Sequence, residues 1–155
     1  MSSTIPQDEI VIACDPTTLT REQQQWWVDE VLPKLYGAVT EIQELPNGWG
    51  LRLPSESSLL VLAAEDINLE RLCCPFIHFS LEIPPNHGDF WFRMTGNADV
   101  KAFVRMMLET AGGFDENILR AAGLQVTPQP KIDSVETAME VVEQINERYA
   151  SQAGS

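Results

Sequence analysis

A chain of 155 residues with 44% hydrophobic content has the size and composition of one globular domain, able to bury roughly two-thirds of its unfolded surface. Its 23 Asp and Glu against 10 Lys and Arg leave a net charge of −13, which repels phosphate backbones and anionic lipid and argues against nucleic-acid and membrane partners. No apolar run approaches the ~20 residues that cross a bilayer, the start MSSTIPQDEI lacks the basic and apolar regions of a signal peptide, and three cysteines are few; a cytoplasmic protein with reduced, free thiols is expected.

Residues 1–9 are polar and expected to be a flexible end. Ile10 to Cys14 is a short apolar run, suited to an edge strand or to an extended segment lying on the core, and Asp15-Pro16-Thr17-Thr18 is a turn. Thr20 with Gln23 has the pattern of a capping box. The helix that follows carries Trp27, Val28, Val31, Leu32 and Leu35 on one side, and Pro33 should kink or stop it near Leu32 by removing a backbone donor. Val39 to Leu45 and Trp49 to Leu53 then flank Pro46-Asn47-Gly48, a hairpin signal with Asn-Gly at the turn. The next helix, over 57–73, is apolar nearly all round in its first half, which calls for cover on both sides. It ends at Cys73-Cys74-Pro75, because a residue before proline is pushed out of the helical region.

A second hairpin follows. Ile77, Phe79, Leu81 and Ile83 alternate with His78, Ser80 and Glu82; beyond the turn at 84–89, Phe90, Phe92 and Met94 alternate with Trp91 and Arg93. Asn97 can cap a helix in which Val100, Phe103, Val104, Met107, Leu108 and Ala111 recur at helical spacing, and Gly112-Gly113 stops it. Two hairpin–helix units predict an α+β fold: a four-stranded antiparallel sheet with helices on one face, plus a C-terminal helix. The α+β domain spans 10–113 and a helical extension spans 114–150. Ser134 caps its last helix, which runs through Tyr149 with Val135, Ala138, Met139, Val142, Ile145 and Tyr149 as an apolar stripe. That stripe must be covered, by this chain or across a homodimer or other protein interface. Residues 151–155 are expected to be a second flexible end.

Ile12-Ala13-Cys14-Asp15, the hairpin ELPNGWGLRLP at 44–54, Glu70-Arg71-Leu72-Cys73-Cys74-Pro75-Phe76, and Trp91 to Gly96 followed by Val100-Lys101 resemble a group of small, uncharacterised bacterial proteins. That group has an "AC…L" start, an "ERxCCPF" centre and a "WLRLTG…VK" end. The resemblance covers roughly residues 10–110 and implies a bacterial, cytoplasmic domain; it carries no activity with it. Asn97-Ala98-Asp99 stands where the group more often has Pro-Glu-Gly.

Two sets of side chains could carry chemistry. Cys14, Cys73 and Cys74 could together offer thiolates to a soft metal or metalloid ion. Adjacent residues diverge by about 100° on a helix and about 180° on a strand, so Cys73 and Cys74 need a bend, which Pro75 can supply. Against this, free cysteine commonly packs as a small hydrophobe. The second set is His78, Glu82, Trp91 and Arg93, joined by Ser80: a base, an acid and a guanidinium on one strand face, suited to binding a ligand. The alternative there is a plain solvated face with cross-strand ion pairs. The chain contains no CxxC, HExxH, GxSxG or GxxxxGK[ST], and no residue is assigned a catalytic role. The leading expectation is a non-enzymatic binding or accessory module without a cofactor. A soft-metal-binding or redox-responsive thiol protein using Cys14, Cys73 and Cys74 stands second. A small enzyme with a site around Glu70, Cys73 and His78 stands third.

Overall fold

The computed structural model describes residues 11–111, 113–128 and 131–153. The expected flexible end at 1–9 and the first glycine of the expected helix stop, Gly112, lie outside those residues. Four strands, β1 (Glu41–Leu45), β2 (Gly48–Leu53), β3 (His78–Glu82) and β4 (Phe90–Thr95), form one antiparallel sheet in the order β1-β2-β4-β3. The two hairpins meet where Trp49, Leu51 and Leu53 stand opposite Met94, Phe92 and Phe90. All six of these side chains are buried. Helices α2 (Ser57–Cys73) and α3 (Ala98–Thr110) cover this face, with Phe103 buried and set edge-on to Phe76 at 5.0 Å. This is the α+β arrangement that the alternation of hairpins and helices predicts.

The β1–β2 turn differs in detail. Its two residues are Pro46 and Asn47, and Gly48 is the first residue of β2, paired with Leu45. A β-carbon at Gly48 would lie 2.1 Å from the Met94 carbonyl oxygen, so this glycine permits the close approach of β2 to β4 rather than the turn itself. Gly48→Ala is therefore expected to destabilise the fold by about 1–3 kcal/mol, read as a lower denaturant midpoint. An unchanged midpoint would mean that the two strands can part there without cost.

The first helix, α1 (Arg21–Trp26), starts with the expected capping box: the Gln23 amide donates to Thr20 Oγ1 at 3.1 Å and the Thr20 amide donates to Gln23 Oε1 at 2.9 Å. Pro33 does not stop it near Leu32. The chain instead passes into a π-helix, Trp27–Leu35, with Pro33 inside it. The Tyr36 amide that follows reaches the carbonyls of both Val31 and Leu32. A wider turn relieves the clash between the proline ring and the carbonyl it meets in an α-helix. Burial of Val31, Leu32 and Leu35 in the main apolar cluster then holds the segment beside α2, while Val28 is buried with Val135 and Ala138 in a smaller cluster.

Past α3 the chain forms α4 (Glu116–Ala121) and α5 (Val135–Ala153). Phe114, Leu119, Leu124, Val141 and Ile145 join the same apolar cluster as the sheet. The stripe of α5 is covered within the chain: Val135, Ala138 and Ile145 are buried, Met139 and Val142 are half-buried, and Tyr149 meets Phe103 edge-on at 5.4 Å. An uncovered stripe is thus no ground for a second subunit. The helix also runs three residues into the stretch expected to be a flexible end, because no breaker stands before Gly154. Among the described residues, no helix is long and apolar enough to cross a membrane.

Candidate functional site

The C-terminus of α2 brings the cysteines together. Cys73 is the last helical residue, and Cys74, at φ −125° and ψ 67°, has already left the helix while its amide still donates to the Glu70 carbonyl at 2.7 Å. The restriction that Pro75 places on the residue before it is met by this bend. Two side chains that would diverge on a regular helix are thereby turned toward one another, and their sulfurs lie 3.7 Å apart. Cys14 joins them. It is bonded to Cys74 as a disulfide with Cα atoms 4.6 Å apart, across a sequence separation of 60. Three free thiols were the expectation from composition; two of the three are paired, and Cys73 alone is free.

The segment carrying Cys14 is extended and forms no strand, so its backbone is satisfied in other ways. The Asp15 amide donates to the Cys73 carbonyl at 2.7 Å. From α5, the Asn146 carboxamide clamps Cys14 on both sides: the Cys14 amide donates to Asn146 Oδ1 at 2.9 Å and Asn146 Nδ2 donates to the Cys14 carbonyl at 2.8 Å. The disulfide is thus the junction of the N-terminal segment, α2 and α5.

One turn before the cysteines, α2 buries Asp66 and Glu70, and the π-helix delivers Tyr36 to them. Tyr36 Oη donates to Glu70 Oε2 at 2.8 Å and lies 3.3 Å from Asp66 Oδ2. A tyrosine hydroxyl has one proton. Once it is given to Glu70, the longer approach to Asp66 is secondary, and the Asp66 carboxyl is hydrogen-bonded to Glu70 in its turn. Burial, and then the charge of Glu70, raise the Asp66 carboxyl well above its ordinary range. Burial raises Glu70 as well, against the hydrogen bonds from Asp66 and Tyr36 that favour its charged form. A proton shared by the pair is therefore held more strongly by Asp66 than by Glu70. Asp66 Oδ1 is buried without a hydrogen-bond partner. Burial, followed by the charges of Glu70 and Asp66, pushes the Cys73 thiol up to about 12, so it is fully protonated at neutral pH.

An apolar cavity of about 100 Å3 adjoins these groups, lined by Trp27, Tyr36, Glu70 and the three cysteines among others. Among the described residues, no cluster of three His, Cys, Asp or Glu side chains is set to hold a metal ion. In this state the Cys14 and Cys74 sulfurs are bonded to each other and offer no thiolate.

The other candidate residues lie elsewhere. His78, Ser80, Glu82, Trp91 and Arg93 share the solvated face of the sheet, as their alternation predicts. Glu82 is ion-paired to Arg93, whose guanidinium sits 5.9 Å from the Trp91 ring. On the same face Arg52 pairs with Glu41 at 3.3 Å and Asp89 at 3.1 Å. These contacts match an ordinary cross-strand pattern. β3 turns His78 outward, away from the buried face beneath which Glu70 and Cys73 lie, so those three do not form one site. Sequence reasoning passed over Asp66, Tyr36 and Asn146. The first had a signal, an acid one helical turn from Glu70 on a helix that must be covered on both sides; Asn146 had none. No protein family, curated protein or solved structure matches this chain.

Proposed function

We propose that the protein is a non-enzymatic, redox-responsive thiol module, switched by the Cys14–Cys74 pair. The observation that carries this reading is the three-sulfur cluster: a disulfide joining the N-terminal segment to α2, with a third sulfur 3.7 Å away. Oxidation transfers two electrons from the Cys14 and Cys74 thiols to a low-molecular-weight disulfide, which leaves as two thiols; reduction is the reverse. The bond changes hands beside Asn146, so reduction frees the anchor of the N-terminal segment and loosens the hold on α5. In a reducing cytoplasm such a disulfide forms transiently, as a sensor does. The net charge of −13 keeps nucleic acid and anionic lipid away from the module.

Thiol counting and hydrogen exchange test the reading together. The oxidised protein should show one alkylatable thiol when unfolded without reductant, and three after reduction. Reduction should raise backbone exchange in residues 11–20 and in α5, and leave the sheet protected. Three free thiols after exposure to an oxidising disulfide, or exchange that is indifferent to reduction, would sink it.

A second reading rests on one spacing. Two thiolates bound to one ion at ~2.3 Å in tetrahedral geometry stand close to the 3.7 Å that separates the Cys73 and Cys74 sulfurs. In the reduced protein Cys14 would supply the third, giving a site for a soft ion. Binding of Zn(II) or As(III) to the reduced chain, lost in each single Cys→Ser variant, separates this reading from the first.

A further inference from the structure

The disulfide is shielded from solvent, with Cys14 and Cys74 only 9% and 2% exposed. Exchange requires a thiolate to touch one of the two bonded sulfurs. A dissolved thiol cannot do so in the folded protein without displacing the core around them. Cys73 is half-buried rather than buried, and its sulfur already lies 3.7 Å from Cys74 Sγ. We propose that Cys73 is the port through which electrons pass between low-molecular-weight thiols in solution and the buried Cys14–Cys74 disulfide. This rests on the redox reading above and adds the route.

Three steps balance it. First, the Cys73 thiolate attacks Cys74 Sγ; the Cys73–Cys74 bond forms, the Cys74–Cys14 bond breaks, and Cys14 leaves as a thiolate that takes up the proton Cys73 gave up. Second, an external thiolate attacks Cys73 Sγ; a mixed disulfide forms on Cys73 and Cys74 leaves as a thiolate, which is protonated. Third, a second external thiolate attacks the outer sulfur of the mixed disulfide, leaves with it as a low-molecular-weight disulfide, and restores the Cys73 thiol. Two external thiols have become one disulfide, and the protein has gained two thiols.

The direction of rest follows from geometry. Adjacent Cα atoms stand ~3.8 Å apart, below the ~4.4–6.8 Å that disulfides usually span, so a Cys73–Cys74 bond is the more reducible one. The Cys14–Cys74 Cα separation of 4.6 Å is within that span. The equilibrium therefore lies with Cys14–Cys74, and the adjacent pair is a transit state. Passage is slow because the Cys73 thiolate is scarce: burial and the facing acids Glu70, Asp66 and Asp15 all disfavour it.

The test follows reduction of the oxidised full chain by reduced glutathione, quenched with acid and mapped by mass spectrometry. In native buffer, Cys73→Ala and Cys73→Ser should lose the Cys14–Cys74 cross-link at least about tenfold more slowly than the wild type, and all three should react alike in denaturant, where every sulfur is open. Wild-type protein caught during the reaction should carry glutathione on Cys73, a readout that depends on no variant. Equal native rates, or glutathione on Cys14 or Cys74 instead, would overturn the port while leaving the redox reading intact. A wild-type chain with no Cys14–Cys74 cross-link at the outset would overturn both.

Discussion

Reduction of the oxidised protein, or Cys14→Ser, is expected to lower its stability by about 2–4 kcal/mol and its melting temperature by roughly 5–15 °C. A cross-link over a sequence separation of 60 removes loop-closure freedom worth about 4 kcal/mol from the unfolded chain, before any change in the folded one. The folded state loses as well, since Cys14 is nearly buried and lies in the main apolar cluster. Scanning calorimetry with and without a phosphine reductant reads the difference, and Cys14→Ser should show no further loss on reduction. A wild-type melting temperature that ignores reductant would mean that Cys14 and Cys74 are not joined in solution.

The second large effect belongs to the buried acids. Tyr36→Phe keeps the ring stacked on Phe114 at 5.3 Å but removes the proton that Glu70 Oε2 accepts at 2.8 Å. Loss of a hydrogen bond to a buried charged group should cost about 1.5–3 kcal/mol. The pH dependence should have an unusual sign for carboxylates. Asp66 is raised well above its ordinary range in the folded protein, whereas in the unfolded chain it titrates near ~3.9. Between those values the folded state binds more protons than the unfolded one, so this contribution is complete below the unfolded value and is lost as pH rises toward the folded one. Glu70, also raised, acts in the same direction. Wild-type denaturant midpoints should therefore fall as pH increases above about 4 toward the raised folded-state values, by up to ~1.4 kcal/mol per pH unit per proton. Asp66→Asn removes the titration and should flatten the slope, gaining on the wild type at alkaline pH. Parallel profiles for the two proteins would show that Asp66 is ionised in the fold.

How far the sequence discloses this molecule depends on the range of the interaction concerned. The alternation of Phe90, Phe92 and Met94 with Trp91 and Arg93 is local, because a half-buried strand must write its pattern into neighbouring residues, and β4 follows it residue by residue. The same holds for the Thr20–Gln23 box and for the Asn97 side chain, which accepts from the Val100 amide at 2.9 Å. Pro33 misleads because the usual local penalty is relieved by a change of helix type, which packing against α2 sustains. Gly48 looks like a turn residue when read next to Asn47, yet the demand on it comes from Met94, far along the chain. The site is hardest of all. Vicinal cysteines are visible in any reading, but their meeting with Cys14 depends on a helix end, and the clamp from Asn146 depends on a helix that begins beyond 130. Nothing in the residues around position 146 announces a partner at position 14.

The clamp also bears on synthesis. A ribosome adding about 5–20 residues per second needs roughly 4–14 s to travel from Cys74 to Asn146. During that interval the emerging chain holds all three cysteines and none of the carboxamide that later grips Cys14. Cys14 is therefore made long before the side chain that grips it, and a disulfide closed in that interval would rest on the end of α2 alone. The last helix is the latch that only the finished chain possesses.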